Sequence, residues 1–169
     1  MGIGFLLAMS AAALLAIAQS TVTSQLSLGG SSPDLVLLFV VSWSLLKGVG
    51  EGLPVALAGG IVLDALSGTP FGLNVVALAL SCVLAGLGGM NVLRTAHYFP
   101  FLAIALATPV YYGTLAVLLR LGGYLMPWGA SFGRAALSST VVNGLCMPIV
   151  YFFCRALLRR RAVESMEWQ

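Results

Sequence analysis

Six apolar stretches divide this chain, and glycine, proline or charge cuts each from the next: residues 3–24, 34–47, 52–67, 71–90, 98–120 and 134–158. About 20 apolar residues cross the hydrocarbon core of a bilayer. The second and third stretches fall short of that, and the others reach or approach it. Hydrophobic residues fill 60% of the 169 positions and charged residues 8%, against roughly a quarter charged in soluble domains. A water-soluble monomer of this size has no means of hiding so much apolar surface. In lipid every backbone polar group must be satisfied within the chain, and helices achieve this. The pattern predicts an all-α polytopic membrane protein with six transmembrane helices. It forms a single domain over 1–169, with a short basic tail at 155–169.

The first stretch has some features of a cleavable signal, since Ala16-Ile17-Ala18 resembles a cleavage site. However, Met-Gly-Ile-Gly lacks a basic residue and the apolar run continues to Val22, so a retained helix is expected. The short second and third stretches read either as two thin spans or as a re-entrant hairpin. Lys47 and Glu51 stand between them, and charges there favour a turn that reaches water. With the N-terminus inside, Lys47, Arg94, Arg155, Arg159, Arg160 and Arg161 fall on the inner side, and Arg120 and Arg134 on the outer. The positive-inside rule then places both termini in the cytoplasm. Arg155, Arg159, Arg160 and Arg161 follow the last apolar stretch directly and read as an anchor to anionic membrane lipid, not as a nucleic-acid face.

Pro33, Pro54, Pro70 and Pro100 fall at or near expected first turns, where a missing N–H does no harm. Pro109 and Pro148 fall mid-span and are expected to kink their helices and open internal space. Gln19 and Asn143 are polar residues inside apolar runs, suited to an interhelical hydrogen bond or to a pocket. Gly48 with Gly52, and the alanines from Ala11 to Ala16, are expected to allow close helix approach.

Two acids, Asp34 and Asp64, collect on the expected outer side with Arg120 and Arg134. Asp34 follows Pro33 at a helix start, where a carboxylate can cap free N–H groups and meet the positive end of the helix dipole. Asp64 stands near a helix C-terminus, where the dipole disfavours an anion. It therefore needs a partner: the N–H groups of Phe71, Gly72 and Leu73 at the next helix start, or Arg134 or Arg120. Ser67 and Gly68 supply the turn, with Gly68 expected at positive φ.

Chemistry finds little support in these residues. Intramembrane aspartic proteases carry Gly-x-Gly-Asp, and neither acid here does. His97, the one histidine, has no acid or cysteine nearby, and Cys82, Cys146 and Cys154 fit no metal spacing. No serine sits in Gly-x-Ser-x-Gly, and there is no Walker A loop and no Gly-x-Gly-x-x-Gly. No catalytic residue, metal or cofactor is expected, which leaves binding, transport or scaffolding.

Residues 33–74 carry a resemblance. Pro33-Asp34-Leu35, the turn from Lys47 to Glu51, Gly59-Gly60 to Leu63-Asp64, and Leu66-Ser67-Gly68-Thr69-Pro70-Phe71-Gly72 follow one another in the order seen in the rod-shape-determining MreD family. The family often has His where this chain has Asn74. The resemblance implies a non-enzymatic, multi-pass protein of the bacterial inner membrane that partners MreC, a single-span protein. It implies a place in the elongation machinery for lateral peptidoglycan synthesis, with indirect links to the glycosyltransferase RodA, its partner transpeptidase and the MreB filament. It also implies a bundle similar to the S-components of energy-coupling-factor transporters. The alternative is therefore a vitamin-binding transporter subunit, with an outer pocket near Asp64 and the 121–133 loop.

Overall fold

A computed structural model describes residues 3–22, 32–68, 70–90, 99–124 and 130–166. Six helices run α1 (Ile3–Val22), α2 (Leu35–Lys47), α3 (Val49–Ser67), α4 (Leu73–Met90), α5 (Phe99–Leu121) and α6 (Ala130–Met166). Among the described residues there is no strand. Four helices (α1, α3, α5 and α6) are long and apolar enough to cross a membrane, while α2 and α4 are shorter. The third stretch is thus longer than its sequence pattern suggested. Helix α3 begins three residues early, at Val49, because a single residue, Gly48 (φ 85), makes the whole turn from α2. Pro54 consequently lies inside α3 and not in its first turn. Gly48 is a turn glycine with no atom near its missing Cβ, so it does not serve close packing. Pro109 and Pro148 lie inside α5 and α6 without ending either helix.

The short helix α2 is the centre of the bundle. Every residue from Val36 to Leu45 is buried, and α2 packs against each of the other five helices. That burial explains a sequence, Leu-Val-Leu-Leu-Phe-Val-Val, that is apolar all round. Its serines are satisfied inside: Ser44 Oγ donates to the Cys82 carbonyl at 2.8 Å, and Ser42 Oγ to Met147 Sδ at 3.7 Å.

Small residues set the helix spacings. A Cβ on Gly60 would stand 2.7 Å from Val75 Cα, so α3 and α4 meet backbone to backbone. A Cβ on Gly52 would stand 2.9 Å from Ser44 Cβ, and one on Gly59 2.8 Å from Val36 Cγ1. These contacts pair 52 with 44 and 59 with 36, so α2 and α3 run antiparallel. Lys47 and Glu51 face each other at 4.0 Å across the Gly48 turn, both partly exposed, where an ion pair contributes little.

Candidate functional site

Apart from serines such as Ser42 and Ser44, the polar side chains that bond one helix to another gather at the end of the bundle opposite Lys47 and Glu51. Two adjacent locks form there, each built on one of the two acids.

Asp64 sits in the last turn of α3 and is 3% exposed. Its Oδ2 accepts the backbone N–H of Gly72 at 2.9 Å and of Val75 at 3.2 Å. Its Oδ1 accepts the backbone N–H and the side-chain Nδ2–H of Asn74, both at 2.9 Å. The carboxylate is thus a cap for α4 supplied by α3: it takes up N–H groups that the start of a helix leaves without partners and lies at the favourable end of that dipole. The next helix start, one of the two classes of partner expected, does serve Asp64, through Gly72, Asn74 and Val75 instead of Phe71 and Leu73. Those two N–H groups are not among the donors because the chain must first turn at Gly72 (φ 103), whose carbonyl receives the first α4 bond from Val76. Gly68 holds the left-handed geometry expected of it (φ 64, ψ 8), and Ser67 Oγ donates to the Asp64 carbonyl at 3.4 Å. Pro70 is half-buried between the turn and α4. Arg120 is exposed in the last turn of α5. Arg134 belongs to α6, and its side chain lies outside the described residues.

Asp34 departs from expectation. It holds the N-cap position of α2 after Pro33, yet its side chain makes no cap bond. The N–H of Val36 is taken instead by Gln19 Oε1 from α1 at 2.9 Å, and the N–H of Asp34 itself by Asn143 Oδ1 from α6, also at 2.9 Å. The Asp34 carboxylate turns into the bundle. Oδ2 accepts the Tyr112 hydroxyl at 2.7 Å and Asn143 Nδ2 at 3.3 Å, and Oδ1 accepts Gln19 Nε2 at 3.4 Å. Asn143 Nδ2 also reaches Thr108 Oγ1 at 3.3 Å. Two amides and an acid therefore exchange roles, each amide capping the α2 start while its nitrogen binds the acid. Buried polar groups are costly unless paired, and here each amide offers both its donor and its acceptor.

The locks meet on α5. Tyr111 donates to Asn74 Oδ1 at 2.6 Å, and its neighbour Tyr112 serves Asp34. Their rings pack edge to face at 5.4 Å. All six helices contribute: Gln19, Asp34, Asp64, Asn74, Tyr111 with Tyr112, and Asn143. Asn74 links the Asp64 lock to Tyr111, so it has a defined role without an imidazole. Helix α5 continues past Tyr111 to Leu121, about 15 Å further, and α6 begins about 20 Å before Asn143. The belt is therefore sunk below the tip of the α5–α6 hairpin, and α2 is short because it starts at that depth.

The sequence named Gln19, Asp34, Asp64, Asn74 and Asn143 but not the two tyrosines or Thr108. A signal for them existed: adjacent hydroxyl-bearing rings in the middle of an apolar span must find acceptors. Pro109 adjoins Thr108, and Pro148 adjoins the wall of a cleft. That cleft, of about 590 Å³, lies between α1 and α6 and is lined almost wholly by apolar side chains. Both acceptor oxygens of Asp64 are filled by the start of α4. Arg155 is exposed on α6, while the side chains of Arg159, Arg160 and Arg161, and all of Arg94 and His97, lie outside the described residues. Helix α6 runs on to Met166, so the basic cluster stands on helix and not on a loose tail. Among the described residues no three of His, Cys, Asp and Glu stand close enough to hold a metal ion.

No curated protein and no solved structure matches this chain. A family model, described as rod shape-determining protein MreD, matches residues 2–157, which takes in the belt and all but the last turns of α6. The chain belongs to the rod shape-determining MreD family.

Proposed function

We propose that this chain is a non-enzymatic scaffold of the bacterial inner membrane, with both termini cytoplasmic, that binds the single-span protein MreC. Through MreC it helps to regulate lateral peptidoglycan synthesis and so rod cell shape. Its links to RodA, the partner transpeptidase and MreB are indirect, and its basic C-terminal arginines hold anionic lipid. Family membership suggests the role in shape. The observation that carries the scaffold reading is the use of both acids: Asp34 and Asp64 accept three and four hydrogen bonds from neutral donors and tie helix ends together. Carboxylates so engaged serve as fasteners, and a rigid bundle is what a scaffold needs to present a surface.

The test is a pull-down of the tagged chain from native membranes, with mass spectrometry of the bound proteins, lipids and small molecules. MreC in the eluate is the expected result. A bound vitamin with ATPase partners, and no bitopic protein, would reverse the reading in favour of a transporter subunit. Depletion adds a second arm: cells should lose rod shape, whereas normal shape with failed vitamin uptake points to the transporter.

A further inference from the structure

The two buried acids differ in what a proton would meet. Every donor to Asp64 is an N–H: the backbone of Gly72, Asn74 and Val75, and the side-chain amide of Asn74. An N–H cannot turn round and accept, so a proton on either oxygen would face a donor. Asp34 has one donor that can reverse. The Tyr112 hydroxyl lies 2.7 Å from its Oδ2 and is also hydrogen-bonded to Ser139, which is buried on α6. A hydroxyl both donates and accepts. With a proton on Oδ2, the acid donates to Tyr112 and Tyr112 donates onward to Ser139. The serine hydroxyl then has its own helix carbonyls to bond, and Asn143 Nδ2 keeps Thr108 Oγ1.

Charge compensation points the same way. Charge-assisted N–H bonds to a carboxylate run about 2.7–2.9 Å. Three of the four at Asp64 are 2.9 Å, whereas the two amides at Asp34 stand off at 3.3 and 3.4 Å. A buried ion with so few close donors is costly unless a cation pairs with it. The donors that face Asp34 are neutral: Gln19 from α1, Tyr112 from α5 and Asn143 from α6. Tyr111 adjoins Tyr112, and beyond it α3 and α4 bring the Asp64 lock, a charge of the same sign. Residues 23–31, 69 and 125–129 contain no titratable side chain. The nearest bases along the packed helices are Arg120 and Arg134. Arg120 stands about 12 Å past Tyr112 on α5, and Arg134 about 14 Å before Asn143 on α6.

We propose that Asp34 is a proton-binding site, with the proton on Oδ2 donated to the Tyr112 hydroxyl, so that Asp34 is a neutral acid where Asp64 is an anion. One O–H bond forms at Oδ2 with a proton drawn from water, and the side chain goes from one negative charge to none. Tyr112 keeps its own hydrogen and only rotates it. Asp34 is 8% exposed and follows the half-buried Ser32 and Pro33, which leaves water a way in. The belt thus stays fastened with this charge removed, whatever partner the scaffold binds.

Infrared spectra of the purified protein in lipid vesicles test this, because a carboxylic acid and a carboxylate absorb at different frequencies. At about pH 6 an ordinary aspartate or glutamate is ionised. There the wild type should show one carboxylic-acid band, shifted in heavy water, that Asp34→Asn abolishes and Asp64→Asn keeps. No such band in the wild type, its survival in Asp34→Asn, or its loss in Asp64→Asn alone would each overturn the proposal. Tyr112→Phe keeps the ring but removes the acceptor, so the band should move or vanish. A band unmoved by Tyr112→Phe would overturn the placement on Oδ2. Asparagine matches the neutral acid in size and can donate to Tyr112, so Asp34→Asn should fold. If it does not, the wild-type and Tyr112→Phe spectra still decide.

Discussion

The two acids of residues 33–74 do similar work by opposite means. Asp64 finds all its donors within eleven residues, on the turn and helix that follow it. Asp34 finds its donors on α1, α5 and α6, at separations of 15, 78 and 109 residues. One lock is a local device that a hairpin of two helices can form alone. The other exists only when the bundle is assembled. The donors differ as well: Asp64 meets mostly fixed backbone N–H groups, while Asp34 meets side chains that can turn.

The sharpest break between them is truncation. Asp34→Ala takes one hydrogen bond each from the Tyr112 hydroxyl, the buried Asn143 amide and the half-buried Gln19 amide, and should cost about 3 kcal/mol or more. Asp64→Ala should cost about 2 kcal/mol, because the start of α4 lies nearer the surface and water can reach part of it. Thermal unfolding of the purified protein in detergent reads both, and equal losses would erase the distinction. Replacement by asparagine should invert the order. At Asp64 either orientation turns an NH₂ toward two donors, for a loss of about 2 kcal/mol. At Asp34 the asparagine oxygen can keep Tyr112 and Asn143 and give up only the 3.4 Å contact to Gln19, a loss of about 1 kcal/mol. Tyr111→Phe removes one 2.6 Å bond to Asn74 and should lower stability by about 1 kcal/mol without disturbing Asp34. Gln19→Met removes two interhelical bonds, to the Val36 N–H and to Asp34, and should cost about 1 kcal/mol if each is typical. Amide exchange should show the loss mainly at the start of α2, where Val36 loses its acceptor.

The same contrast explains what could be read in advance. Six helices, the Gly68 geometry and the partner class of Asp64 all follow from rules acting within about a dozen residues: apolar length, left-handed glycine, and the dipoles at a turn. The role of Asp34 did not follow, because nothing local says that Gln19 and Asn143 will occupy the cap that Asp34 was placed to make. Tyr111 and Tyr112 were missed for the same reason, since their acceptors lie 37 and 78 residues away. Helix α2 looked merely short, and only packing on all sides shows that it is the core. The cleft required knowing which helices fail to touch, and an apolar pattern is silent on that.

The consecutive numbers of Tyr111 and Tyr112 have a mechanical meaning. Successive residues on an α-helix point about 100° apart, so α5 is held at two azimuths by two separate anchors, Asn74 and Asp34. A roll of α5 about its own axis that shortens one bond stretches the other. Tilting about the tyrosines keeps both. Strain entering this bundle from the α5–α6 tip would therefore be carried as a lever pivoting on the belt, with twist of α5 held out.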